Sequence, residues 1–145
     1  MLRVHTRIAP GLHGIGLFAA EPITADTVIW RYDPGMDFEI VLDAPLVDGP
    51  MPESLRRFAL HYGYAAIGTH GENRYIICAD DARFMNHSAA ANTRDDNGVT
   101  IACRDIAEGE EITCDYLEFC DPGDSVEQPS QIRFITGSTA MAAGT

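Results

Sequence analysis

Glycine, proline, asparagine and aspartate interrupt this chain so often that only short strands have room to form between them. An apolar run, Ile15 to Ala19, begins between two glycines, and Thr27 to Tyr32 is rich in β-branched and aromatic residues. Glu21-Pro22 and Thr24-Ala25-Asp26 lie between them, which predicts a hairpin or a sharp corner. Three more strands are expected at Tyr75 to Ala79, Val99 to Cys103 and Ile112 to Tyr116. Asn92 to Gly98 and Ala107-Glu108-Gly109-Glu110 read as the turns that separate them. Pro34, Gly35, Pro45, Gly49 and Pro50 break up residues 33–51. One helix is expected, from about Pro52 to Tyr62. Pro52 suits a first helical position, Glu53 complements the positive end of the helix dipole, and Gly63 can close it. Leu55, Phe58, Ala59 and Tyr62 recur on one helical face, a stripe expected to meet the core. The pattern is that of a mainly β or α+β domain built from small sheets.

At 145 residues the chain is the size of one domain with one core. No apolar stretch approaches the roughly 20 residues that span a bilayer, and Met1 to Arg7 is too polar for a secretory leader, so the expected location is the cytoplasm. The net charge of −12 argues against nucleic acid, whose phosphates need clustered cations. It suits a basic protein or peptide drawn in by the long-range field, with plain solubility as the alternative reading. All ten basic residues are arginine, so the chain carries no lysine. Cys78, Cys103, Cys114 and Cys120 show no CxxC or CxH spacing, which favours reduced thiols over a zinc site or a disulfide framework.

Three short motifs carry candidate chemistry. In Gly14-Ile15-Gly16-Leu17-Phe18-Ala19, paired glycines leave space for close backbone approach to a ligand; a tight turn is the plain alternative. The strand-like run after them speaks against a dinucleotide fingerprint, which leads into a helix. Arg83-Phe84-Met85-Asn86-His87-Ser88, followed by Asn92, offers an amide, an imidazole and backbone groups within a tight segment. That segment also reads as a capped turn with Phe84 and Met85 in the core, and it lacks the spacing of a hydrolytic triad or a zinc protease. Glu108-Gly109-Glu110-Glu111-Ile112-Thr113-Cys114-Asp115-Tyr116 is a glycine turn feeding a strand that ends in Asp-Tyr. Its tyrosine hydroxyl could bond an amine or align a methyl donor.

In this order, over roughly Arg3 to Phe119, the three motifs resemble the SET family of protein lysine methyltransferases. The resemblance implies a SET domain over residues 1–120, with small curved sheets, a variable insert at about 33–72 holding the one helix, and a C-terminal pseudoknot. Residues 121–145 are then a partly mobile tail. It implies a pocket for S-adenosylmethionine lined by Gly14, Ile15 and Gly16 and completed by Asn86 and His87, with Asn86 at the amino-acid end of the cofactor. Tyr116 is the implied catalytic residue. Cys114 and Tyr64 are implied to line the lysine channel, with Tyr62 as the alternative to Tyr64.

Two departures from the family pattern carry consequences. Cys114 stands where Tyr or Phe is usual, and the smaller side chain leaves room to add more than one methyl. Ala89 and Ala91 replace the Cys and Pro of N-H-S-C-x-P-N, removing a ligand of the family's zinc site, so no metal is expected. Phe119 or Ile132 to Ile135 would then cover the channel. The expected function is transfer of methyl groups from S-adenosylmethionine to lysine of a basic protein. A catalytically degenerate SET module that binds a partner is the alternative, and a small acidic interaction domain without the cofactor is a third.

Overall fold

The structure is a computed structural model that describes residues 1–11, 13–41, 52–65 and 74–118. The expected tail at 121–145, the channel covers Phe119 and Ile132 to Ile135, and Cys120 lie outside the described residues. In chain order the elements are β1 (Thr6–Gly11), β2 (Gly14–Ala19), β3 (Val28–Arg31), β4 (Phe38–Val41), α1 (Glu53–Tyr62), β5 (Gly63–Ala65) and β6 (Arg74–Ile77). β7 (Asn86–His87), β8 (Thr93–Asp95), β9 (Val99–Ala102) and β10 (Glu111–Cys114) follow. No helix among the described residues is long and apolar enough to cross a membrane.

The strands form three small sheets, ordered β1-β2-β10-β7, β3-β9-β8 and β4-β6-β5. β2 and β3 belong to different sheets, so the segment between them is a corner and not a hairpin. Asp26 takes φ +63° there, a left-handed conformation that aspartate tolerates better than most residues. β1 is an edge strand, and that position accommodates Pro10, which has no N–H to give to a ladder.

β10 organises the molecule. Ile112 pairs with Leu17 of antiparallel β2, and Thr113 and Cys114 pair in parallel with Asn86 and His87 of β7. The last motif therefore lies beside the Asn-His segment, as the family resemblance implies. Leu17 and Ile112 are fully buried in a cluster with Ala19, Ile23, Ile29, Met85, Ala102, Ile106 and Cys114. Alternation along β10 puts Ile112 and Cys114 in this core and leaves Glu111 and Thr113 half-buried.

Asn92, only 2% exposed, braces β10 from the side. Its Nδ2 donates to the Glu111 carbonyl at 2.8 Å, and its Oδ1 accepts from the Thr113 N–H at 2.9 Å. Thr93 adds a hydroxyl bond to the Thr113 carbonyl at 2.8 Å. These side chains satisfy backbone groups of β10 that would otherwise be buried without partners.

Leu55 and Phe58 of the helical stripe do not reach the core. α1 forms over the expected span, but Leu55 and Phe58 remain 43% and 40% exposed. Tyr62 packs against Phe84, at 5.8 Å between ring centroids, and against Phe58, at 5.0 Å. Periodicity located the apolar face of α1, but no neighbouring element among the described residues covers its Leu55–Phe58 end.

Candidate active site

The sequence places Asp80 just before a 3-10 turn, Asp81–Phe84, where its short carboxylate can serve as the cap. Oδ1 accepts from the Ala82 N–H at 3.1 Å, and Oδ2 from the Leu2 N–H at 2.6 Å. This fixes the entry to β7. Met85 is buried behind the turn, as expected, while Phe84 is half-buried and faces a cleft.

That cleft is lined by His13, Gly14, Ile15, His61, Tyr62, Arg83, Phe84, Asn86, His87 and Tyr116. Its walls mix amide, imidazole and aromatic groups, the mixture that orients a polar small molecule within a largely apolar site. Of the residues expected to bind a cofactor, Gly14, Ile15, Asn86 and His87 come together here. Gly14 has φ +102°, and a Cβ built there would meet nothing within 4 Å, so backbone conformation is what requires glycine. Gly16 differs. The space of its missing side chain is filled by Glu111 and Asn86, not left open to a ligand. Glycine at this position leaves room for side chains of the protein itself.

The tetrad His87, Cys114, Asp115 and Tyr116 sits where β7 and β10 end together. The Tyr116 backbone N–H donates to His87 Nδ1 at 3.2 Å, so this nitrogen is the acceptor and the neutral ring carries its proton on Nε2. Asp115 Oδ1 stands 3.7 Å from the same nitrogen, beyond hydrogen-bond length. The Tyr116 hydroxyl donates to the Met85 carbonyl at 2.8 Å, and its ring lies 5.3 Å from that of His87.

A second, smaller cavity is lined by Trp30, Tyr62, Tyr64, Cys78, Ala82, Arg83, Met85, Asp95, Thr100, Cys114 and Tyr116. The two expected channel residues, Tyr64 and Cys114, both line it, as does the alternative, Tyr62. Tyr62, Arg83 and Tyr116 border both cavities and form the wall between them. The indole N–H of Trp30, the chain's one tryptophan, is buried without a hydrogen-bond partner. Cys78 has its thiol pushed up to about 12 by burial and by Asp37 and Asp80, which keeps it protonated and inert at neutral pH. Sequence reasoning did not select Trp30, Cys78, Asp95 or Arg83 as wall residues. Each sits in or beside a strand or turn whose pairing, not whose local pattern, brings it to the cavity.

Asp95 is the one acidic side chain among those lining this second cavity. Burial raises its pKa above the ordinary carboxylate value of 3.8, the Gly98 N–H opposes the shift, and Glu118 and Asp96 add to it. A raised native pKa means that ionised Asp95 costs stability once pH exceeds both folded and unfolded values. That cost fades as pH falls towards the unfolded value. Asp95→Asn, which still accepts from Gly98, should therefore raise the melting temperature at pH 7 and lose that advantage near pH 4. Half-exposure and solvent screening keep the gain at about 1 kcal/mol or less. Melts of both proteins across this range, showing an equal gain at pH 4, would refute the electrostatic origin.

The SET domain family model matches residues 14–117. This chain belongs to the SET domain family. Comparison with curated protein sequences gives no match. The SET domain superposes on a crystal structure described as a candidate histone methyltransferase of Plasmodium falciparum, with TM-score 0.52 and 20% identity, covering 79% of this chain and 95% of that one. It also superposes on the Chaetomium thermophilum Polycomb Repressive Complex 2 bound to an inhibitor, a humanized mutant. There the TM-score is 0.55 at 21% identity, over 81% of this chain but only 16% of the other. An active polycomb repressive complex 2 in the basal state gives 0.56 at 22%, covering 78% and 15%. At these identities the likeness establishes the fold, which matches the expectation of small sheets with one short helix.

Proposed function

We propose that this SET domain is an S-adenosylmethionine-dependent methyltransferase acting on lysine side chains of a basic protein. The observation that carries the reading is the shared wall. Tyr116 stands between a cleft of mixed polarity and an aromatic cavity, so two ligands entering separately would meet at its hydroxyl.

The cleft suits the cofactor: Asn86 offers an amide, Gly14 and Ile15 offer backbone, and Tyr62 and Phe84 offer aromatic faces. Ile15 is 55% exposed, an apolar side chain at a ligand-facing position. When bound, S-adenosylmethionine supplies an electrophilic methyl group. The aromatic cavity suits the aliphatic stem of lysine, and its walls decide the protonation state of the amine. Free lysine has a pKa of about 10.4 and is cationic at neutral pH. Trp30, Tyr62, Tyr64 and Met85 disfavour the charged form by desolvation and the Arg83 guanidinium repels it, while the Asp95 carboxylate on the same wall acts in the opposite direction. Arg83 is itself held by the Ala79 and Asp80 carbonyls, each at 3.3 Å. A neutral amine has a free lone pair, and the Tyr116 hydroxyl, fixed by its bond to Met85, can align it. The overall charge of −12 favours encounter with a basic target.

Cys114 is 7% exposed and lines the aromatic cavity. Its small side chain leaves space for a methylated amine to turn and react again. Cys114→Tyr should therefore shift products from di- and trimethyl-lysine towards monomethyl-lysine, read by mass spectrometry of a modified substrate. An unchanged distribution would count against a steric limit at this position.

The reading is tested by incubating the protein and radiolabelled S-adenosylmethionine with a cell lysate, then mapping the label. Label on lysine of a discrete protein supports the enzyme and identifies its substrate. Binding of the cofactor without transfer to any lysate tried would favour a non-catalytic SET module. Absence of cofactor binding would overturn the reading altogether.

A further inference from the structure

Glu111 opens β10 and lies where β2, β7 and β10 meet. Its Oε1 accepts from Asn86 Nδ2 at 2.7 Å. Its carboxylate also fills the volume that side chains at two glycines would need. A Cβ on Gly16 would collide with Oε1 and stand 2.9 Å from Cδ, and one on Gly11 would stand 2.8 Å from Oε1. Both glycines are thus conditions for where this carboxylate sits.

The second hydrogen of Asn86 Nδ2 is directed to the Ile15 carbonyl, at 3.3 Å. With both amide hydrogens engaged, the orientation of the carboxamide is determined. The reversed amide would bring Oδ1 to 2.7 Å from a carboxylate oxygen, two acceptors with no hydrogen between them. Nitrogen and oxygen lie on opposite sides of the carboxamide, so engaging Nδ2 with Glu111 and Ile15 turns Oδ1 away from β2 and Glu111. Asn86 also lines the cleft.

We propose that Glu111 is a positioning residue: its carboxylate locks the Asn86 carboxamide so that the cleft receives an acceptor oxygen and not a donor nitrogen. The complementary ligand group is a protonated amine. S-adenosylmethionine carries one at its amino-acid end, and the assignment of ligand rests on the function proposed above. The carboxylate acts through Asn86 and need not touch the ligand.

The test is calorimetric titration of the whole chain with two probes, S-adenosylmethionine and 5′-methylthioadenosine, which shares the adenosine and sulfur but lacks the amino-acid end. Glu111→Ala should weaken S-adenosylmethionine about tenfold or more, the scale of one misplaced polar partner, and leave methylthioadenosine unchanged. Glu111→Gln, which still offers a carbonyl to Asn86 Nδ2, should recover most of the affinity. In a double-mutant cycle, Glu111→Ala should add nothing to Asn86→Ala. Gly16→Ala, by displacing the carboxylate, should reproduce Glu111→Ala. Equal loss of both probes would mean a collapsed cleft and overturn the positioning role, as would unchanged S-adenosylmethionine affinity or additive effects. The lock can also be read without ligand. The Asn86 side-chain amide protons should exchange slowly by NMR in the parent and rapidly in Glu111→Ala. If the parent binds neither probe, the cofactor reading fails, whereas the exchange result alone decides whether the lock exists.

Discussion

Tyr116→Phe should reduce methyl transfer about 10²- to 10³-fold while the affinity for S-adenosylmethionine changes by no more than about twofold. The magnitude is that of removing one preorganised polar group from a reacting centre. The substitution is narrow because most of what Tyr116 does is retained. Its backbone N–H still bonds His87 Nδ1 at 3.2 Å, and its ring still packs 5.3 Å from the imidazole. What disappears is the hydroxyl, anchored at 2.8 Å on the Met85 carbonyl and placed on the wall between the two cavities. Single-turnover rates and equilibrium binding, measured on the same preparation, separate the two effects. A variant with undiminished single-turnover rate would remove Tyr116 from the chemistry. A variant that lost cofactor affinity in proportion would make it a wall of the cleft and nothing more.

The largest effect on stability is expected from Ile112→Ala, about 3 kcal/mol within the usual 2–5 kcal/mol for such truncations. Ile112 has no exposed surface, pairs in register with equally buried Leu17, and belongs to the central cluster. Neighbours on two sheets limit how far the site can collapse around the lost carbons. Set against a total of roughly 5–15 kcal/mol for a domain, this is a large share. Leu55→Ala on α1, at 43% exposure, should cost less than about 1 kcal/mol. Chemical denaturation of the two variants side by side measures the contrast. Equal losses would show that α1 is covered in solution.

Five strands were legible in the sequence as apolar or β-branched runs: β2, β3, β6, β9 and β10 fall where local pattern places them, within one or two residues at each end, whereas β4, Phe38–Val41, was hidden among the prolines and glycines of 33–51. The others were not, for identifiable reasons. β7 is two polar residues, Asn86 and His87, and becomes a strand only because β10 lies beside it. β8 sits in Asn92 to Gly98, which reads as a turn, and Thr93 to Asp95 extend because β9 pairs with them. In such cases pairing supplies what propensity lacks. β1 ends in Ala9-Pro10-Gly11, poor strand formers tolerated at an edge. The candidate site was legible in its residues but not in its causes. The motif containing Gly14 and Gly16 stood out, yet one glycine answers to a positive φ and the other to a carboxylate from the far end of the chain. That second reason exists only in three dimensions.

The position of β10 also bears on the order in which the molecule can be made. Its partners are β2, near the beginning of the chain, and β7, well before it, so the central sheet closes only when distant segments meet. Contacts of such long sequence separation must offset a large loop-closure entropy before they return any stability, which slows folding. During synthesis β2 emerges with β1 on one side and an open edge on the other, and that edge waits until Glu111 to Cys114 has left the ribosome. An open strand edge is a template for pairing with other chains. The strand that completes the candidate active site is therefore also the one that covers the open edge of β2.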